Sequence, residues 1–168
     1  LRGLIRLFYI SISEQDLNEL ALQLGADVPV CLVQKSSRMR GVGEIIEPIV
    51  LDLPEGIVLA NPRIPASTSK VFEYLNLQCG QSLGAAIGNV YDIESWRNDL
   101  TAPAVTLVPE IADVVGSLIF QPDTICSRMS GSGATCFGLF ESLENAQIAA
   151  DAIAEKHPHW WVVATTLL

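Results

Sequence analysis

Apolar and polar positions alternate along the chain in short blocks that can be read one at a time. Residues 1–9, LRGLIRLFY, place apolar side chains at helical spacing. The stretch SISEQDLNELALQLG restarts the pattern with a clear beginning, because Ser13 with Asp16 three residues on approximates a capping box. Leu17, Leu20, Ala21 and Leu24 then follow the i, i+3, i+4, i+7 rule and Gly25 stands where a left-handed C-cap belongs, so the spacing predicts a helix from about Glu14 to Leu24. ADVPVCLV follows as a β-rich run headed by an acid, and KSSRMRGVGE is polar and punctuated by glycine. The segment IIEPIVLDLPEG ends in a turn at Pro54 to Gly56, which predicts a lobe boundary dividing residues 1–53 from 54–168.

Beyond that turn the rhythm changes. IVLANP reads as a buried strand ending at Pro62, and STSKVFEYL as a short helix capped by Ser67. WRNDLTAPA places Asn98 and Asp99 at the end of a helix and the start of a loop. VPEIADVVGSLIF has Pro109 at the first helical position, Glu110 in the first turn, and Ile111, Val114, Val115 and Leu118 on one face. TICSRMS and ATCFGLF are strand-like runs joined by GSG, a hairpin pattern; SLENAQIAADAIAEK is an alanine-rich helix, and WWVVATTLL closes as a strand. The order helix, strand, strand, helix, strand, led by the strand at residue 57, predicts an α+β fold in which the second lobe is a split β-α-β, ferredoxin-like sandwich with helices on one face of a sheet.

Composition narrows the function classes. The 168 residues are 49% hydrophobic and 17% charged, enough for a real core. The formal charge is −9 with only ten Lys plus Arg, scattered singly, so there is no basic stripe to neutralise a nucleic-acid backbone. No apolar run approaches the roughly 18 residues of a membrane span, and the default expectation is a cytoplasmic protein. Cys31, Cys79, Cys126 and Cys136 stand far apart without a CxxC pair, which predicts reduced core thiols, and His157 and His159 flank Pro158 as turn residues; no metal-ligand set is visible. Nothing in the pattern specifies an oligomer.

Four stretches are candidates for chemistry, each with a structural alternative. Ser130, Gly131, Ser132 and Gly133 lack the lysine of a Walker loop and lead into a strand, so they are either a tight hairpin turn or a nest of backbone N–H groups for an anion. Asp27 stands just past a helix end and before Val28 and Pro29, where it either caps its own backbone or takes a proton from a substrate hydroxyl. Thr68 and Phe72 are either an ordinary helix start with a core aromatic or a polar contact and a stacking surface for a planar base. Asn98 and Asp99 are the fourth, with a structural role favoured.

Order and spacing carry more than any one of these. LGADVP, then RGVGE, NPRIPAST…VF, NDL and RMSGSGATCFGLF together resemble the 4-diphosphocytidyl-2-C-methyl-D-erythritol kinases of the GHMP superfamily, over nearly the whole chain. The resemblance implies transfer of the ATP γ-phosphoryl group, with Mg²⁺, to the 2-hydroxyl of a cytidyl diphosphate polyol in non-mevalonate isoprenoid synthesis. It implies Asp27 as catalytic base, Val42, Thr68 and Phe72 as substrate-pocket residues, and the Ser130 to Gly133 stretch as a glycine turn beside the active site. It also implies that residues 1–53 continue an N-terminal ATP-binding domain and that 54–168 form the GHMP C-terminal domain. In one respect the chain departs from the family: it has no GLGGGSSNAA-like phosphate loop and no N-terminal catalytic lysine, and it opens on Leu1 within a helical pattern. The expectation is therefore the C-terminal portion of such a kinase, inactive alone. The alternatives are another GHMP kinase, acting on mevalonate, homoserine or galactose, and a non-catalytic ferredoxin-like binding module.

Overall fold

A computed structural model describes residues 1–41, 43–78, 81 and 92–167, and they form two compact units, Leu1–Asp52 and Leu53–Leu168. Val42 and Cys79 lie outside the described residues.

The first unit contains α1 (Arg2–Leu7), α2 (Glu14–Leu24), α3 (Val28–Val33) and a hairpin of β1 (Ser37–Arg40) and β2 (Ile45–Pro48) paired from Ser37↔Pro48 to Arg40↔Ile45. The start of α2 is the capping arrangement expected: Ser13 Oγ accepts from the Asp16 amide at 3.0 Å. Its end is not. Gly25 has φ 156° and ψ 154°, an extended corner open essentially to glycine alone, rather than the left-handed cap. The β-rich run after it is the helix α3, with Pro29 in its first turn; a proline there lacks only an amide proton that the helix would leave unpaired anyway. The Arg2 guanidinium donates to Gln34 Oε1 at 2.7 Å and to the Leu32 carbonyl, tying α1 to the end of α3. Only Ala21, Pro29 and Gly43 are buried among the described residues of this unit.

The second unit contains β3 (Gly56–Asn61), α4 (Thr68–Leu75), a 3-10 turn (Ile93–Ser95), α5 (Thr101–Leu107), α6 (Glu110–Ile119), β4 (Thr124–Met129), β5 (Cys136–Phe140), α7 (Leu143–Lys156) and β6 (Trp161–Thr166). The sheet order is β4-β5-β3-β6, antiparallel throughout, which is the ferredoxin-like arrangement expected from the element order. The β4–β5 hairpin, the alanine-rich α7 capped by Ser142, and the closing strand β6 all form as the pattern predicts. Val58 and Ala60 alternate into a core completed by Ile111, Val114 and Leu118 of α6 and by Ala146, Ala149, Ala150 and Ile153 of α7. Each buried Val, Leu or Ile contributes about 1.5–3 kcal/mol, and the small residues of α7 let the helix lie close on the sheet. Asn98 and Asp99 do not end an α-helix: a 3-10 turn precedes them and α5 follows.

The cysteines divide by environment. Cys126 and Cys136 are buried on strands, as expected of core thiols, but Cys31 is exposed on α3 because that segment is helical and turns it outward. Burial pushes the Cys136 thiol up to about 12. At pH 8 only roughly one Cys136 side chain in ten thousand would be thiolate, and the thiolate is the reactive form. Iodoacetamide at that pH is expected to alkylate Cys31 first and Cys136 only after unfolding, read by peptide mass mapping; equal labelling of the two in the native protein would contradict this. His157 and His159 sit at the turn between α7 and β6, where the His157 ring stacks on Trp160 at 3.8 Å.

Candidate active site

Within the first unit, Asp27 occupies the N-cap position of α3 with φ −88° and ψ −8°. Its carbonyl accepts from the Cys31 amide at 3.4 Å, but its carboxylate makes no capping hydrogen bond and has no partner among the described residues. The reading in which Asp27 only caps its own backbone therefore lacks its bond. Pro29, buried one turn in, and the Gly25 carbonyl, which accepts from the Val28 amide at 3.1 Å, fix the backbone that carries it. Gly43, in the β1–β2 turn, packs so closely on the Ala26 carbonyl that a Cβ would collide with it, and its φ of 101° is also a glycine conformation. Gly43 is thus seated against the peptide just before Asp27. Val42, the pocket residue expected in that turn, lies outside the described residues. Hollows of about 360, 290 and 460 Å³ in this unit are lined mainly by α1, α2, α3 and the hairpin, and Asp27 lines none of the three.

The second unit brings the other expected residues together. Thr68 opens α4, and its Oγ1 lies 2.8 Å from Ser132 Oγ in the glycine turn; Phe72 follows one turn along α4 with 54% of its surface exposed. Phe72 is therefore a presented ring rather than a core aromatic. The turn is a true hairpin connection: the Ser130 amide donates to the Thr135 carbonyl at 2.9 Å and the Gly133 amide to the Ser130 carbonyl at 3.0 Å. Gly131 has φ 54° and Gly133 φ 87°. The amides of Gly131 and Ser132 have no acceptor among the described residues, so the hairpin and the N–H nest, alternatives in the sequence, are compatible in one structure.

Asn98 is the residue whose part the sequence reading missed. Its side-chain amide donates to the carbonyls of Met129 at 2.9 Å and Gly131 at 2.8 Å, while its Oδ1 accepts from the Leu100 amide at 3.0 Å. Asn61 makes a second tie, donating to Thr135 Oγ1 at 2.8 Å. The only sequence signal for either is a polar amide beside a turn, which does not disclose a partner more than 30 residues away. Among the described residues no group of three or more His, Cys, Asp or Glu side chains is arranged to hold a metal ion.

The family model for the GHMP kinases C terminal matches residues 71–159, more than half of the chain. A 4-diphosphocytidyl-2-C-methyl-D-erythritol kinase of Cereibacter sphaeroides is 45% identical over 155 residues, which are 88% of this chain and 56% of that protein. The enzyme of the same name from Paramagnetospirillum magneticum is 40% identical over 174 residues, covering 100% of this chain and 61% of its own length. The chain therefore spans somewhat more than half the length of the curated relatives it matches. Among solved structures, a 4-(cytidine 5'-diphospho)-2C-methyl-D-erythritol kinase superposes with a TM-score of 0.78 at 28% identity over 99% of this chain and 61% of its own. A homoserine kinase from Cytophaga hutchinsonii shares the fold at a TM-score of 0.66 and 16% identity, over 84% of this chain and 51% of its own. With its C-terminal unit built as a four-stranded sheet under two helices, and the family match lying within that unit, this chain belongs to the GHMP kinase family.

Proposed function

We propose that this chain is the C-terminal portion of a 4-diphosphocytidyl-2-C-methyl-D-erythritol kinase, acting in the cytoplasm on ATP and a cytidyl diphosphate polyol. The observation that carries the proposal is the 40–45% identity to enzymes of that name, over a span that includes an Asp27 carboxylate with no hydrogen-bond partner among the described residues. In the reaction Asp27 takes the proton of the substrate 2-hydroxyl, the freed oxygen bonds to the γ-phosphorus of ATP, and the bond from that phosphorus to the β,γ-bridging oxygen breaks to leave ADP. Phosphoryl transfer depends mainly on positioning and electrostatics, so one oriented carboxylate is enough on the nucleophile's side. Phe72 offers its exposed ring to the cytosine and Thr68 a polar contact to the substrate, while Val42 is assigned to the substrate pocket on the family resemblance alone. The Gly131 and Ser132 amides are donors suited to a phosphate oxygen.

On this reading residues 1–53 complete an ATP-binding domain and 54–168 are the GHMP C-terminal domain. Mg²⁺ would accompany the nucleotide and help neutralise the charge on its phosphates. The 168 residues contain no GGGSS-type loop, so by themselves they are expected to be inactive. Substrate preference tests the assignment. In a coupled ADP assay on the full-length protein, kcat/KM for the cytidyl diphosphate polyol is expected to exceed that for the same polyol lacking the cytidyl group by about 100-fold or more, the loss associated with a vacated binding subsite. Equal values, or a preference for homoserine, mevalonate or galactose, would move the chain to another branch of the family.

A further inference from the structure

The glycine turn is held from outside by one side chain. Asn98 donates both of its amide protons to carbonyls on either side of Ser130, those of Met129 and Gly131, at 2.9 and 2.8 Å. In a trans peptide the C=O and N–H of one unit point in opposite directions. The Met129 unit shows the consequence: its carbonyl faces Asn98 while the amide on its other side, that of Ser130, reaches the Thr135 carbonyl at 2.9 Å. In the Gly131 unit the carbonyl again faces Asn98, so the Ser132 amide is aimed away from Asn98, and there it meets no acceptor among the described residues. The Ser132 hydroxyl is meanwhile engaged with Thr68 Oγ1 at 2.8 Å.

We infer that Asn98 is a positioning residue, whose carboxamide fixes the Gly131 carbonyl and thereby presents the Ser132 N–H as an oriented donor to a phosphate oxygen of the reacting pair. The inference rests on the kinase reading for its phosphate and on the geometry alone for its clamp. Its physical basis is that Gly131, at φ 54° and with no heavy atom near enough to restrain a side chain there, has little of its own to hold the peptide plane. Asn98 itself is braced, since its Oδ1 accepts from the Leu100 amide at 3.0 Å just ahead of α5.

The test uses the full-length protein. Asn98→Asp keeps the shape but sets a carboxylate against two carbonyls; kcat is expected to fall by about 10-fold to 100-fold, as for a misplaced catalytic contact, with KM for the polyol changed less than about threefold. Thr124→Val removes a similar clamp at the far end of β4, where Thr124 Oγ1 donates to the Leu118 carbonyl at 2.8 Å, and is expected to lower the melting temperature without changing kcat. Wild-type kcat in Asn98→Asp, below its melting temperature, would overturn the inference. Amide cross-peaks read the clamp independently of activity: those of Gly131 and Ser132 should shift in the variant while those of Val58 and Ala60 stay fixed, and unmoved Gly131 and Ser132 signals would overturn the clamp even if the wild-type protein had no activity on the polyol. Should Asn98→Asp not fold, Asn98→Gln retains both donor protons on a longer arm. It is expected to fold with kcat lowered at least about fivefold, and an unchanged kcat there would equally overturn the inference.

Discussion

Asp27→Asn in the full-length protein is expected to lower kcat by about 10³-fold, within the range a positioned general base supplies, while KM for the polyol stays within about threefold. The amide is nearly isosteric with the carboxylate, and the carboxylate makes no hydrogen bond to α3 that the change would break. Stability is therefore expected to be unaltered, and the loss should appear in kcat rather than in folding or binding. Steady-state kinetics with a thermal melt of the variant distinguish the cases. Turnover close to wild type would remove Asp27 from the chemistry, and a collapsed melting temperature would mean that it supports the fold instead.

The second large effect is expected at Gly133. Its φ of 87° is a conformation that a β-branched residue resists, at a cost of about 1–2 kcal/mol. A Cβ there would also stand 2.9 Å from Met129 Sδ and 3.1 Å from Ile111 Cδ1, both in the core, and overpacking of this kind costs about 1–3 kcal/mol more. Gly133→Val is expected to destabilise the second unit by about 3 kcal/mol and to lower its melting temperature by roughly 10 °C, measured by calorimetry. The same substitution at Gly131 meets no heavy atom within 4 Å and is expected to carry the backbone cost alone. Equal losses at the two positions would show that backbone conformation, not packing, dominates at the turn.

How far these features could be read from the sequence depended on how local their causes are. The capping box of α2, the strand β3, the hairpin around GSG and the alanine-rich helix α7 are written within a few residues, and they emerged as expected. The run ADVPVCLV misled because its valines favour a strand, whereas Pro29 in the first turn is a helix-start signal; intrinsic propensity is weak over six residues. The exposure of Cys31 follows from that one error. The sequence reading offers no hairpin here, with β1 inside the polar stretch KSSRMRGVGE and β2 at the head of IIEPIVLDLPEG, since neither strand alternates cleanly between buried and exposed positions. Asn98 was legible as a polar residue near a loop, but its bonds to Met129 and Gly131 span 31 and 33 residues and exist only once the sheet has formed. The pairing of Thr68 with Ser132 spans 64 residues and is hidden in the same way.

The most direct measurement is phosphorus NMR of the product made by the full-length protein from ATP and the cytidyl diphosphate polyol. The account predicts ADP together with a new phosphomonoester on the polyol's 2-oxygen, formed about 10³-fold more slowly when Asp27 is Asn. ADP without that phosphomonoester, a phosphate on a different hydroxyl, or no reaction at all would contradict it.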